Sequence, residues 1–452
     1  MSDSARRTVT KAAALSALGG VLFGYDTGVI GGVLPNISDE FHLDSPFSKG
    51  LVVAVLLAGA AVGALGAGAL ADRLGRKRLV LLTSAVFVVG IAVAALAPSL
   101  TVLLAARFVI GAGVGSASFG VPLYISELAP PERRGGLVSL NQLCVTGGIL
   151  VSQLVAYALS QRGDWRISVG LALIPAVALG VGVLGEPESP AWLMRKGRED
   201  DARAVLARIR GPQEDAEAEL REITEVSRAE RRSGLSDLVG PAVRPALAVG
   251  VVLAVVQQVT GINTVIYFAP TVLENAGLGA SAALLALVVV GVANVLLTVL
   301  SIRLVDRVGR RPLLVGGTSV MALGLTALGF LFLGGLTGTT EAVLATVALC
   351  VYVGAFAIGL GPVFWLLLGE MFPLRVRGEA ASVATMINWV ANLVVAVSYL
   401  SIIDAIGESA TFWTYAVLAA LSVVYMLRAV PETKGRSLTD IERDLKGTPV
   451  AA

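Results

Sequence analysis

The sequence predicts an all-α membrane protein: twelve transmembrane helices in two six-helix halves, joined by a cytoplasmic helical linker. Three observations carry that reading. The 452 residues are 55% hydrophobic and 15% charged, where a soluble domain sits near 45–50% apolar and about 25% charged. The apolar excess is gathered into long runs almost free of charge, each near the ~20 residues that a bilayer-spanning helix needs. The loops between those runs repeat, in order, in the second half of the chain. A soluble enzyme of this length would need far more charged surface than 35 Lys+Arg and 33 Asp+Glu supply.

Taken in order, the spans are expected at 12–35, 50–72, 79–98, 101–127, 135–160, 167–185, 245–273, 280–303, 312–335, 341–369, 379–403 and 409–428. The first follows Arg6, Arg7 and Lys11, a start that resembles a secretory signal. Its apolar run continues to about Leu34, too long for a signal core, and no A-x-A site follows. Between spans 6 and 7, Glu186 to Arg244 is rich in both charge signs. Its stretches 199–210 and 215–232 carry helical periodicity through Val205, Leu206 and Ile209, then Leu220, Ile223 and Val226. The chain therefore divides into a first half 1–185, a linker 186–244 with short amphipathic helices, a second half 245–430 and a tail 431–452.

Basic residues set the orientation. One set of loops holds Arg73, Arg76, Lys77 and Arg78, then Arg133 and Arg134, then Arg307, Arg310 and Arg311, then Arg375 and Arg377. The opposite set offers Lys49, Arg162, Arg166 and little else. Both termini and the linker are thus expected in the cytoplasm, in a multi-pass protein of the cell membrane.

The halves echo each other. Asp72-Arg73-Leu74-Gly75-Arg76-Lys77 recurs as Asp306-Arg307-Val308-Gly309-Arg310-Arg311. Glu127-Leu128-Ala129-Pro130 with Arg134-Gly135 recurs as Glu370-Met371-Phe372-Pro373 with Arg377-Gly378, and Pro187-Glu188-Ser189 as Pro431-Glu432-Thr433. Two six-helix halves related by a parallel repeat is the architecture of the major facilitator fold. In each loop a Gly allows a tight turn and Arg forks can pair with carboxylates at neighbouring helix ends. Asp72, Arg76, Glu127 and Arg134 are the expected gating cluster of the first half, with Asp306, Arg310, Glu370 and Arg377 its counterpart. Such pairs could latch the halves on the cytoplasmic side while the outer side is open.

Several function classes are excluded. With one histidine, His42, there is no His-rich metal site and no Ser–His–Asp triad. Cys144 and Cys350 lie in apolar runs and form no C-x-x-C motif. A net charge of +2 gives no footprint for nucleic acid. The spans offer no nucleophile–base pair, so an enzyme is not expected, and no cofactor or metal is called for beyond a coupling proton.

Away from the span ends, two ionisable side chains appear: Asp26 in span 1 and Arg107 in span 4. A charge near mid-bilayer costs at least ~2.5–3.5 kcal/mol on insertion scales and so needs a partner. Asp26 lies ~21 Å past the inner end of its span and Arg107 ~9 Å from the outer end of its own. In a ~30 Å core the two share one depth. Beside the Arg, Asp26 stays ionised; in an apolar wall without it, the protonated acid is favoured. A carboxylate that alternates between those settings can carry a proton across. Gly24 and Gly28 flank it and allow close approach and flexing.

A polar set marks the second half. Span 7 carries Gln257-Gln258-Val259-Thr260-Gly261-Ile262-Asn263 and then Tyr267, which predicts a helix broken beside a polar cavity. Gln142, Asn294, Trp365, Asn388, Trp389 and Asn392 complete it. Amides donate and accept, which suits a neutral ligand covered in hydroxyls, and a Trp face suits the C–H surface of a sugar ring.

These residues resemble those of the sugar porter family of the major facilitator superfamily, and are most similar to bacterial proton–sugar symporters. The motifs are G-Y-D-T-G-V-I-G-G at 24–32, A-D-R-L-G-R-K at 71–77, Y-I-S-E-L-A-P-x-x-x-R-G at 124–135, Q-Q-V-T-G-I-N at 257–263, the D-R-V-G-R-R loop, G-P-V-F-W at 361–365 and P-E-T-K-G-R-S at 431–437. The resemblance implies that Gln142, Gln257, Gln258, Asn263, Asn294, Trp365 and Asn388 bind sugar hydroxyls or stack on the ring. It also implies that Asp26 stands where symporters have Asp and facilitators usually have Asn, with Arg107 as its partner. Ala191 departs from the family's usual Arg, which should weaken one linker contact, and Ile302 from a usual Gly, which puts strict symmetry of the two latches in doubt. The expected function is a proton-coupled monosaccharide symporter, for glucose or another hexose, working by alternating access as a monomer in the lipid bilayer. A facilitative uniporter, or a symporter for a pentose or inositol, is the alternative.

Overall fold

The computed structural model describes residues 3–210, 217, 219–221, 223–224, 238, 240–241, 243–275, 278–333, 338–373, 376–436 and 438–445; for 3–7, 131–139, 161, 275, 339, 438–439, 442 and 445 it describes the backbone alone. Every regular element among these residues is helical. Twelve helices are long and apolar enough to cross a membrane: Thr8–Glu40, Pro46–Leu74, Arg76–Ala95, Leu100–Leu128, Leu140–Leu159, Trp165–Leu184, Arg244–Glu274, Ala280–Val308, Arg310–Leu333, Thr340–Met371, Arg377–Ile406 and Glu408–Ala429. They are spans 1–12, in the expected order.

Several helices overrun their apolar runs, because a helix continues until a cap or a turn ends it. Span 2 begins at Pro46, where the Ser45 hydroxyl accepts from the Ser48 N–H at 3.0 Å. It ends at Gly75, whose φ of +100° only glycine adopts readily. Span 4 starts on Ser99 and span 6 on Asp164, each accepting from a backbone N–H three residues on. The predicted break in span 7 falls at Thr260-Gly261, with Gly261 at φ +84°. Spans 1, 6 and 10 are also broken, after Ser16, Gly170 and Ile358; of these, only Gly359 in the A-I-G-L-G-P run carries a sequence signal.

Small residues set the packing. Gly59 and Gly63 of span 2 face Phe108 and Ala112 of span 4, and Gly111 and Gly115 face back onto Leu56 and Ala60, so closely that any Cβ would strike a backbone carbonyl. With no hydrophobic drive between helices in lipid, such backbone contact is what holds spans together. Apolar side chains that would be a liability in water stand outside: Leu65, Leu96, Ile174, Leu323, Phe330 and Val394 are each about 60% or more exposed, as a lipid-facing surface requires.

Twelve spans put both ends of the chain on one face, and six put the linker there as well; this is the terminal face. The linker helix Glu199–Arg210 forms as predicted, with Leu206 and Ile209 buried. Its last residue, Arg210, donates to the Leu128 carbonyl (2.7 Å) and to Glu219 (2.7 Å), capping the end of span 4. Most of 215–232, including Val226, lies outside the described residues.

The halves meet along a seam. Towards the opposite face it is tight: Gly31 abuts the Ile266 carbonyl, Gly50 the Val397 carbonyl and Gly291 the side chain of Gln153. Deeper in, Trp389 of span 11 donates to the Ser118 hydroxyl (3.4 Å) and its ring lies 5.3 Å from that of Phe23.

Candidate functional site

The intramembrane acid is placed by glycine. Gly24 and Gly28 press span 1 onto the Val145 and Ile149 backbone of span 5. Two residues on from Gly24 is 200° around the helix, so Asp26 is turned away from span 5 and toward span 4. There Arg107 meets it: Nη1 is 3.8 Å from Asp26 Oδ1, with the residues 3% and 9% exposed. The pair read from depth is therefore brought together, but loosely. Arg107 makes its short bond elsewhere, from Nε to the Val52 carbonyl at 2.6 Å.

Around the break in span 7 the amides form one network. Asn388 donates to Gln257 Oε1 (2.7 Å) and to the Ala254 carbonyl (2.9 Å), and accepts from Gln258 Nε2 (3.1 Å). Asn263 donates to Gln258 Oε1 (2.8 Å). Gln257 reaches the Leu360 carbonyl (3.3 Å) next to the break in span 10, so the interruptions of spans 7 and 10 share a partner. A broken helix frees the backbone carbonyls of its last turn, and the Ser301 hydroxyl answers one of them, that of Ile358, at 2.9 Å.

Gln142, Asn263 and Trp365 stay partly exposed, whereas Gln257, Gln258, Asn294 and Asn388 are buried. Asn392 donates to the Tyr267 hydroxyl at 3.5 Å. Trp389, expected in the polar set, is 2% exposed and spent on the seam, so Trp365 is left as the partly open indole.

On the terminal face the repeated loops build two matching clamps. In the first, Arg76 pairs with Asp72 (3.0 Å) and Glu127 (2.9 Å). In the second, Arg310 pairs with Glu370 (2.9 Å) and, more loosely, with Asp306 (3.5 Å). With the opposite face closed, each described pair lies inside one half and braces its helices; the latch expected of these residues belongs to the form whose opposite face is open. The bracing follows from placement: each Arg and both of its acids sit on the second, third and fourth spans of the same half. Arg377 donates to the Phe372 carbonyl (3.2 Å) and lines, with Arg310 and Glu370, a cavity of about 370 Å³. The side chain of Arg134 lies outside the described residues.

What locks each clamp lies outside the expected gating residues. Glu188 accepts the backbone N–H groups of Arg76 (2.9 Å) and Lys77 (3.0 Å), and Glu432 those of Arg310 (3.0 Å) and Arg311 (3.1 Å). A carboxylate at a helix N-terminus satisfies orphan donors and meets the positive end of the dipole. Ser189 then donates to Glu127, and Thr433 to Glu370. The repeated Pro-Glu-Ser and Pro-Glu-Thr were the available signal. The cation missing at Ala191 is supplied one turn on, where Arg195 reaches Asp72 (3.5 Å) and Glu127 (3.4 Å). Both clamps form, but unequally: the Arg310–Asp306 arm is longer than the Arg76–Asp72 arm (3.5 against 3.0 Å), and Arg195 serves the first clamp.

A family model described as "Sugar (and other) transporter" matches residues 12–445. The chain is 40% identical to a galactose–proton symporter of Escherichia coli over 95% of its own length and 93% of that protein. It is also 40% identical to a D-xylose transporter of Levilactobacillus brevis, over 95% and 94% of the two chains. Its fold is similar to the solved structure of the major facilitator superfamily proton:xylose symporter XylE bound to 6-bromo-6-deoxy-D-glucose, with a TM-score of 0.84, 32% identity and coverage of 97% and 99%.

Proposed function

The chain belongs to the sugar transporter family of the major facilitator superfamily, and from that premise we propose that it is a proton–monosaccharide symporter working by alternating access. Asp26 carries the coupling proton, and Arg107 is the partner it leaves and rejoins. The observation that carries this is the geometry of Arg107, 3.8 Å from the acid yet 2.6 Å from the Val52 carbonyl. When Asp26 takes a proton, the guanidinium keeps a strong acceptor and is not stranded in low dielectric. The acid can therefore cycle without unfolding its surroundings.

The sugar lies between the halves, against Gln142, Gln257, Gln258, Asn263, Asn294 and Asn388, with Trp365 under the ring. The amide network supports this, since its donors and acceptors are held in place by one another before a ligand arrives. A hexose such as glucose is the proposed substrate; the galactose and xylose named for the relatives are the competitors to test. The moving units are the halves 1–185 and 245–430, each braced by its clamp. The terminal face is cytoplasmic, the protein acts as a monomer in the plasma membrane, and it uses no cofactor other than the proton. For coupling, sugar must bind better to the form protonated at Asp26.

The test is reconstitution in vesicles with a pH dye trapped inside. Adding glucose, galactose, xylose or inositol outside should acidify the lumen for the true substrate. Asp26→Asn should abolish acidification while keeping sugar counterflow. Counterflow without acidification in the wild type would leave a facilitator with a static ion pair.

A further inference from the structure

Gln153 belongs to neither the sugar site nor the clamps. It is 2% exposed and its amide oxygen has no hydrogen-bond partner. That oxygen lies against Gly291 of span 8, so closely that a Cβ on the glycine would collide with it. Gln153 follows Gln142 by three helical turns and so shares its face of span 5, ~16 Å nearer the opposite face. Gly291 likewise stands three residues before Asn294 on span 8, nearer the opposite face. The orphan oxygen is therefore sealed in the seam, on the side where the halves are tightly closed.

A buried acceptor without a donor is expensive, whereas the same amide in water is satisfied. The penalty falls only on the form whose opposite face is closed. We propose that Gln153 is a counterweight that raises the energy of the closed seam and so keeps the opposite face able to open. The proposal rests on the alternating-access reading. The glycine at 291 lets the seam close over the amide at all, and the amide keeps that closure from becoming a trap.

The test reads conformation without sugar. Spin labels at Phe47 and Ala280, both exposed and at the opposite-face ends of spans 2 and 8, report the width of the seam by pulsed distance measurement, with Cys144 and Cys350 replaced by Ser. Gln153→Met removes the orphan at similar volume and should lower the ratio of open to closed distances about fivefold or more. Gln153→Glu at neutral pH places a costlier group in the seam and should raise it, which keeps the idea testable should the Met variant fold poorly. Unchanged distance distributions in both variants would overturn the proposal. So would a rise in the half-saturation for external sugar in Gln153→Met with the distances unmoved, since that would make Gln153 a sugar contact. A single fixed distance in the wild type under every proton and sugar condition would remove alternating access itself, and this inference with it.

Discussion

Asn388 and Gln142 stand in different relations to the proposed sugar. Asn388 holds three amide contacts that exist without ligand, so Asn388→Ala leaves buried groups unpaired and should cost about 1–3 kcal/mol of stability as well as sugar binding. Gln142 is partly exposed and stands outside that network, so Gln142→Ala should weaken binding with little change in melting temperature. Thermal unfolding with and without sugar separates the two: Asn388→Ala lowers the baseline and the sugar-induced shift, Gln142→Ala the shift alone. The Q-Q-x-x-G-I-N run made the partners of Asn388 legible, and Gln142 and Asn388 stood out as lone amides, because amides and glycine inside an apolar span have few uses. It did not reveal which amide donates to which, since an amide can do either. Nor could it show that Trp389 belongs to the seam, because an indole in a span reads the same facing a ligand or a neighbouring helix.

At the scale of elements, the two clamps show a loop acting as a joint. Gly75 and Gly309 sit at φ +100° and +106°, and a Cβ at either would press on the carboxylate of Glu188 or Glu432. With ψ at 162°, Gly75 occupies a region essentially closed to other residues, so Gly75→Ala should cost ~1–3 kcal/mol and also loosen the cap; a lower melting temperature with partial loss of transport is the expected result. Glu432 supplies the pH arm. Burial pushes its carboxyl up, but backbone N–H bonds from Lys434, Arg310, Arg311 and Thr433 outweigh that and hold it below the usual carboxylate range. A depressed folded value means the stabilisation is complete above the unfolded value of about 4.3 and is lost as pH falls through the folded one. Unfolding scans taken down from pH 7 should show wild-type stability falling on that acid limb, and Glu432→Gln should start lower and lose the Glu432 share of the fall. The turns were legible from D-R-x-G-R, and the partner of each turn was not, because Glu188 lies 112 residues from Arg76 in the chain. Repetition flagged the segment, and only the folded chain gave it a role.

For the whole molecule, the count and order of spans follow from hydropathy alone, whereas the arrangement of the seam depends on contacts between residues far apart in sequence. Those contacts make the rocking of halves testable. Gly50 and Val397 belong to different halves, and a Cβ at Gly50 would lie 3.7 Å from the Val397 Cα, close enough for a disulfide once both are cysteine. Glu40 and Arg166 also lie toward the opposite face, with their side chains 2.6 Å apart, but both belong to the first half. In a background lacking Cys144 and Cys350, oxidising a 50–397 cysteine pair should stop uptake, and reductant should restore it. A cysteine-reactive cross-linker of matching span joining positions 40 and 166 should leave uptake largely intact, because nothing within a half needs to separate. If joining across the seam left transport unimpaired, the halves would not move as units and the sugar would need another route. If joining within one half stopped it, flexing inside that half would carry the cycle. The clamps on the terminal face argue for the first pattern, since every ion pair described in them braces a half against itself and none ties it to the other.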